Sequence, residues 1–277
     1  MTLAATLQSI DGWAVDNAAA AVVGREGVLA QRGDGVRPFA LASVTKPLVA
    51  YAVLVAVEEG SVSLDEPAGP PGATVRHLLA HTAGYGFESG SAPVAPLGTR
   101  RIYSNAGFEV LGEHFAARTG IAVADYLAEA VFAPLGMAAT ALRGSPAHGA
   151  SGSADDLARF AAELLAPTLI APSTLAEATS VQFPGLDGVL PGFGAQRPND
   201  WGLGLELRNS KSPHWTGASN SPGTFGHFGG SGTFLWVDPV AHLACVVLTD
   251  RDFGPWAAEA WPVLSDAVLA AHSPSSA

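Results

Sequence analysis

The chain has 277 residues, 48% of them hydrophobic and 14% charged, enough apolar matter for one large domain or two intertwined ones with a sizeable core. Its formal net charge of −11 argues against nucleic acid and anionic membrane as partners, because both demand a basic face. Thirty-two glycines and twenty prolines predict long ordered loops, since the apolar content is far too high for disorder.

The first residues, "MTLAATLQSIDGWAVDN", lack the basic start and long apolar stretch of a signal peptide, and no apolar run reaches membrane-spanning length. A cytoplasmic chain is the expectation. "NAAAAVVGREGVLAQRG" (17–33) reads as two strands around a turn. "ASVTKPLVAYAVLVAVEEG" follows, apolar on every side and closing at Gly60, so it predicts a buried helix. Pro47 is tolerable only in a first helical turn, which puts Ser43 at or beside the helix N-terminus.

Residues 74–81, 104–120, 123–136 and 153–165 carry helical patterns, the last with Ser153 and Asp156 as an N-terminal capping pair. Strand patterns return at 201–207, 232–239 and 241–250, with a turn signal in "DPVAH", and a last helix covers roughly 255–271. The single cysteine, Cys245, lies in the strand-like "HLACVVLTD"; it excludes an intramolecular disulfide and reads as a buried, inert thiol. Only the terminal "SPSSA" reads as disordered. Strands at both ends and helices between predict an α/β (α+β) fold, an antiparallel sheet flanked by helices. On this reading residues 1–62 and 196–277 form one lobe and 63–195 a mostly helical insert, with a site in the cleft between them.

Lys46 and Lys211 are the only lysines; every other cationic side chain is arginine. Lysine can be driven neutral by burial, whereas arginine stays protonated. In "SVTK", Ser43 and Lys46 stand at i and i+3, on one face of a helix and close enough to share a proton. The helix start adds free N–H groups that favour an oxyanion, and a desolvated lysine can serve as base for the hydroxyl. "YSN" (Tyr103, Ser104, Asn105) offers a phenol as proton relay and an amide to orient a carbonyl or the lysine; a plain tyrosine with a capping residue is the alternative. "GHFGGSGTF" (226–234) clusters glycines as at a close backbone approach, with His227 offering a donor to substrate and the Gly230 N–H facing the cleft; a softened edge strand is the alternative.

Together the three stretches resemble the class C β-lactamase and penicillin-binding serine hydrolase family, which also holds esterases, D-stereospecific peptidases and acyltransferases. "FALASVTK", "VSLDEP", "HLLAHTAGY", "FAPLGM", "SGSADDLARF", "WGLGLEL" and "HFGGSGTFLWVDP" follow the family's order along most of the chain. The resemblance implies Ser43 as acylated nucleophile and Lys46 with Tyr103 as shared general base. It implies Asn105, His227, Phe228 and Gly229 as substrate contacts, and the backbone N–H groups of Ser43 and Gly230 as an oxyanion hole. Which of Lys46 and Tyr103 holds the proton at rest stays open at this level. No cofactor or metal is expected; the partner is a small ester, amide or β-lactam, and the oligomeric state is open.

The third motif departs from the Lys-Thr-Gly of β-lactamases: His227-Phe228-Gly229 lacks the lysine and threonine that hold a substrate carboxylate in that family. An esterase or amidase with an apolar acyl pocket is therefore expected ahead of a true β-lactamase or D-peptidase, and a β-lactam sensor without turnover is a further alternative. Tyr85, Phe87, Trp215 and Phe228 are candidate walls. His77 and His81 in "HLLAH" have helical spacing but lack the glutamate of a zinc hydrolase, "DFG" at 252–254 lacks every other kinase element, and no G-x-S-x-G elbow is present.

Overall fold

The structure, a computed structural model, describes residues 1–272. The "SPSSA" end lies outside the described residues. The chain opens with helix α1 (Leu3–Leu7), the hairpin strands β1 (Ala18–Gly24) and β2 (Gly27–Gly33), and the short strand β3 (Phe39–Ala40) leading into α2 (Thr45–Glu58). The middle holds α3 (Val75–Leu79), α4 (Asn105–Thr119), α5 (Val123–Leu127), β4 (Ala141–Leu142), β5 (Ala150–Gly152), α6 (Ala154–Leu165) and α7 (Pro172–Ala178). The last third comprises β6 (Gly188–Leu190), β7 (Gly194–Gln196), β8 (Glu206–Leu207), β9 (Phe225–Gly229), β10 (Thr233–Asp238), β11 (Leu243–Thr249) and α8 (Pro255–His272).

An antiparallel six-stranded sheet, ordered β2-β1-β11-β10-β9-β8, is the frame. It joins the two ends of the chain, with Ala18 opposite Thr249 and Gly24 opposite Leu243. Both faces are covered over β1, β10 and β11, so these strands are buried almost throughout, while the edge strand β2 is largely exposed. Ala19, Ala21, Val23, Ala244, Val246 and Leu248 point to the face covered by α6 and the core around α2. Ala20, Val22, Phe234, Trp236, Cys245 and Val247 point the other way, into the core shared with α1 and α8. Cys245 is buried there, and burial pushes its thiol pKa well up.

Helix α2 is buried without interruption from Thr45 to Ala56, as its all-round apolar sequence requires, and ends before Gly60 in the left-handed region (φ 76°). Pro47 is its third residue, where no intrahelical acceptor is lost. The 123–136 pattern gives α5 and then a π-helical turn over Ala128–Phe132 rather than one regular helix.

The strand expected over 201–207 is confined to Glu206–Leu207. Gly202 donates to the Leu205 carbonyl at 2.9 Å, and Gly204 (φ 72°) lies so close to α2 that a Cβ would meet the Ala50 Cβ at 2.3 Å. This turn folds Trp201 back to pair with Glu206. The small sheet β3-β5-β4 has no counterpart in the sequence reading, because strands of two or three residues carry no periodicity.

Candidate active site

Ser43 sits on a 3₁₀ turn over Ala42–Val44 that runs directly into α2. Ala42 is in the left-handed region (φ 45°), a conformation that costs a non-glycine residue about 1 kcal/mol. Surrounding bonds hold it there. Leu41 N–H donates to the Ala150 carbonyl at 2.9 Å, and the Ala150 N–H donates to Thr45 Oγ1 at 3.0 Å. From the other side, Ser231 Oγ donates to the Ala40 carbonyl at 2.6 Å and Thr233 Oγ1 to the Leu41 carbonyl at 3.0 Å. The "GGSGTF" stretch is thus a clamp on the turn that carries Ser43. Gly229 permits it: a Cβ there would lie 2.3 Å from the Leu41 oxygen.

Lys46 is completely buried and its Nζ meets four oxygens: Asn105 Oδ1 at 2.7 Å, Tyr103 Oη at 2.8 Å, the Ala147 carbonyl at 3.0 Å and Ser43 Oγ at 3.4 Å. Two of these can only accept, and two are hydroxyls that can also donate. A neutral amine satisfies the set by giving two hydrogens to Asn105 and Ala147 and its lone pair to a hydroxyl. Burial drives the Lys46 pKa well below the ordinary lysine range, with Glu109 opposing. Burial raises the Tyr103 phenol, while Ser43 pulls it down. Tyr103 and Asn105 flank the Ser104 cap, whose Oγ accepts from the Gly107 N–H at 2.9 Å and so sets the start of α4. His81, left-handed at φ 58°, accepts the Ser104 N–H on Nδ1 at 3.2 Å and packs 4.8 Å from the Tyr103 ring.

A cavity of about 220 Å³ opens in front of Ser43. Tyr103, His227, Phe228 and Gly230 line it, as does Phe87 from the expected walls. Tyr85 and Trp215 do not: Tyr85 packs on the core beside α2, and Trp215 is buried with Nε1 donating to Glu206 at 3.0 Å. Asn105 Oδ1 accepts from Lys46 Nζ at 2.7 Å, and Gly229 packs against the Leu41 carbonyl. His227 and Phe228 point to opposite faces of β9. His227 donates from Nδ1 to the Phe228 carbonyl at 2.6 Å, and Phe228 packs against Phe253 with centroids 4.9 Å apart. His77 accepts from the Thr74 N–H at the start of α3, so the two histidines of "HLLAH" serve different turns.

Missing from the sequence reading are Leu190, Pro191, Gly192, Trp201, Glu206 and Phe253, which complete the cavity. Glu206 is its one ionised side chain. It is buried, paired with Lys211, and bound by His214 Nε2 at 2.9 Å. Burial opposes its ionisation, but His214 and Lys211 outweigh that and hold its pKa at about 2. The second lysine is therefore the counter-ion of the cavity's carboxylate, a link that sequence separation conceals.

Burial, then Lys46, brings His227 down to about 3, and burial depresses His81 as well. The unfolded chain protonates these rings near 6.5, so between about 6.5 and 3 it binds more protons than the folded chain. Stability therefore falls as pH falls through that window. The Glu206 contribution is present above 4.5 and is lost toward 2. Urea midpoints measured from pH 7 to 4 should decline steadily, with a shallower slope in His227→Leu. A flat profile would mean that folded His227 protonates normally.

The geometry is of the kind a serine hydrolase uses: Ser43, Tyr103 and Asn105 meet Lys46 in one hydrogen-bond network. The chain belongs to the Beta-lactamase family, whose model matches residues 10–269. A solved structure described as a beta-lactamase from Mycobacterium bovis is 61% identical, covering 97% of this chain and 100% of that one with a TM-score of 0.95. Esterase EstB of Burkholderia gladioli is 38% identical over 25% of this chain and only 24% of its own length. EstCE1, described as a hydrolase with promiscuous acyltransferase activity, is 19% identical over 95% of this chain and 96% of that one, with a TM-score of 0.77, a likeness of fold alone. Among the described residues no helix is long and apolar enough to cross a membrane.

Proposed function

We propose that this protein is a carboxylic ester or amide hydrolase that works through an acyl-enzyme on Ser43. Ser43 Oγ attacks the substrate carbonyl and its proton passes into the Lys46–Tyr103 pair. The backbone N–H groups of Ser43 and Gly230 receive the oxyanion, and the same pair protonates the departing alkoxide or amine. Water then attacks the acyl-enzyme and loses its proton to the pair, which passes it to Ser43 Oγ as the bond to the acyl carbon breaks and the acid leaves. The observation that carries this reading is the four-oxygen setting of a fully buried Lys46.

Preference for esters over β-lactams rests on the cavity's charge. None of its lining residues is a lysine or arginine, and its ionised group is Glu206, so a substrate carboxylate finds no cation on these walls; the nearest arginine-lined cavity, with Arg100, adjoins it across Phe87, Tyr103 and Pro191. The volume, about 220 Å³, and the Phe87, Leu190, Phe228 and Phe253 walls suit a short apolar acyl group. The similarity to the Mycobacterium bovis structure favours the second reading, a true β-lactamase.

Turnover of a short-chain p-nitrophenyl ester beside a chromogenic cephalosporin separates the two. Ester hydrolysis alone is expected, and Ser43→Ala should remove it to the blank rate while leaving the melting temperature nearly unchanged. Efficient cephalosporin hydrolysis would establish the second reading. A single burst without turnover would make the protein a covalent sensor.

A further inference from the structure

Five buried side-chain nitrogens have no hydrogen-bond partner among the described residues: His81 Nε2, Arg101 Nε, Asn199 Nδ2, Trp261 Nε1 and His227 Nε2. Four of them are donors, His81 included, because its Nδ1 already accepts from Ser104. His227 differs. Its Nδ1 lies 2.6 Å from the Phe228 carbonyl, an atom that can only accept, so Nδ1 carries the hydrogen and Nε2 carries a lone pair. Of the five residues, His227 is also the one that lines the cavity in front of Ser43.

The neighbours cannot satisfy that lone pair. Both Glu206 oxygens are taken, Oε1 by Lys211 and Oε2 by His214 and Trp215, and as a carboxylate it has no hydrogen to give. The hydroxyl of Tyr103 lies against Lys46, and no hydrogen bond joins it to His227 Nε2. A buried acceptor left unpaired costs about 1–3 kcal/mol, a cost removed by a ligand that brings a donor. The expectation that His227 donates to substrate is therefore reversed: its one hydrogen is spent on the backbone.

We propose that His227 Nε2 accepts a hydrogen bond from the substrate, so that the site selects acyl groups carrying a neutral N–H or O–H. This deepens the acyl-enzyme reading and rests on it. A carboxylate would meet the lone pair and the Glu206 charge, and both repel it. A bare ammonium would have to be desolvated among apolar walls, which favours a neutral donor such as an amide N–H.

The test compares p-nitrophenyl esters that differ only by oxygen in place of N–H: N-acetylglycine against acetoxyacetate, and 3-acetamidopropionate against 3-acetoxypropionate. Ser43→Ala supplies the blanks, and p-nitrophenyl butyrate serves as reference. In one length at least, kcat/KM for the N–H ester should exceed its oxygen isostere by about tenfold or more after correction for intrinsic reactivity. In His227→Leu that ratio should fall toward one, whatever the absolute rate. Equal rates within both pairs, or a preference that survives in His227→Leu, would overturn the proposal while butyrate turnover left the acyl-enzyme reading standing. Loss of all Ser43-dependent turnover, butyrate included, would sink that reading and the proposal with it.

Discussion

Lys46→Arg is expected to lower kcat/KM by about a thousandfold or more, although it keeps the formal charge. The lysine is completely buried, and its Nζ reaches four oxygens between 2.7 and 3.4 Å, a slot shaped for one compact nitrogen. Guanidinium is larger, planar and never neutral in proteins, so it can donate to Asn105 and Ala147 but cannot take the Ser43 proton. Lys46→Met separates shape from chemistry: it fits the slot, lacks the base and should be equally inactive. Mass spectrometry after mixing with ester should find no acyl adduct in either variant. In the wild type, kcat/KM should rise with pH and level off well below the ordinary lysine range, because burial depresses the Lys46 pKa. Near-normal activity in Lys46→Arg would end the argument that this residue shuttles a proton.

Gly229→Ala should combine a loss of activity smaller than that of Lys46→Arg with a loss of stability. The new methyl would sit 2.3 Å from the Leu41 oxygen and 2.5 Å from Thr233 Oγ1, atoms that already bond each other across the clamp. Something must shift, and the nearest movable parts are the end of β9 and the Gly230 N–H. Overpacking of this kind costs about 1–3 kcal/mol, and a displaced oxyanion donor costs about a hundredfold in kcat. Gly230 is the control for stability: a Cβ there meets nothing within 4 Å, so Gly230→Ala should melt at the wild-type temperature. Calorimetry on the two variants decides the point. Equal melting temperatures would mean that the clamp yields without strain.

The legible parts of this molecule were those governed by short spacings. Ser43 and Lys46 face one another because three residues make nearly one helical turn, and Tyr103 and Asn105 flank a capping serine that fixes both. The antiparallel sheet followed from apolar runs at the two ends of the chain. What stayed hidden depends on contacts between distant segments. The Trp201–Glu206 turn reads as a strand until α2 is seen to press on Gly204. Phe253 belongs to a triplet with no catalytic meaning, yet its ring packs on Phe228 in the cavity. The pairing of Lys211 with Glu206 and the hydrogen of His227 are set by partners that no local pattern names.

The clamp on the Ser43 turn has a consequence for synthesis. Ser231 and Thr233, which tie down Ala40 and Leu41, leave the ribosome nearly two hundred residues after Ser43. Until the β9–β10 hairpin emerges and β11 docks beside β1, the left-handed Ala42 has no reason to hold its shape. On the proposed function, a nascent chain thus carries Ser43 unarmed until the sheet closes around it.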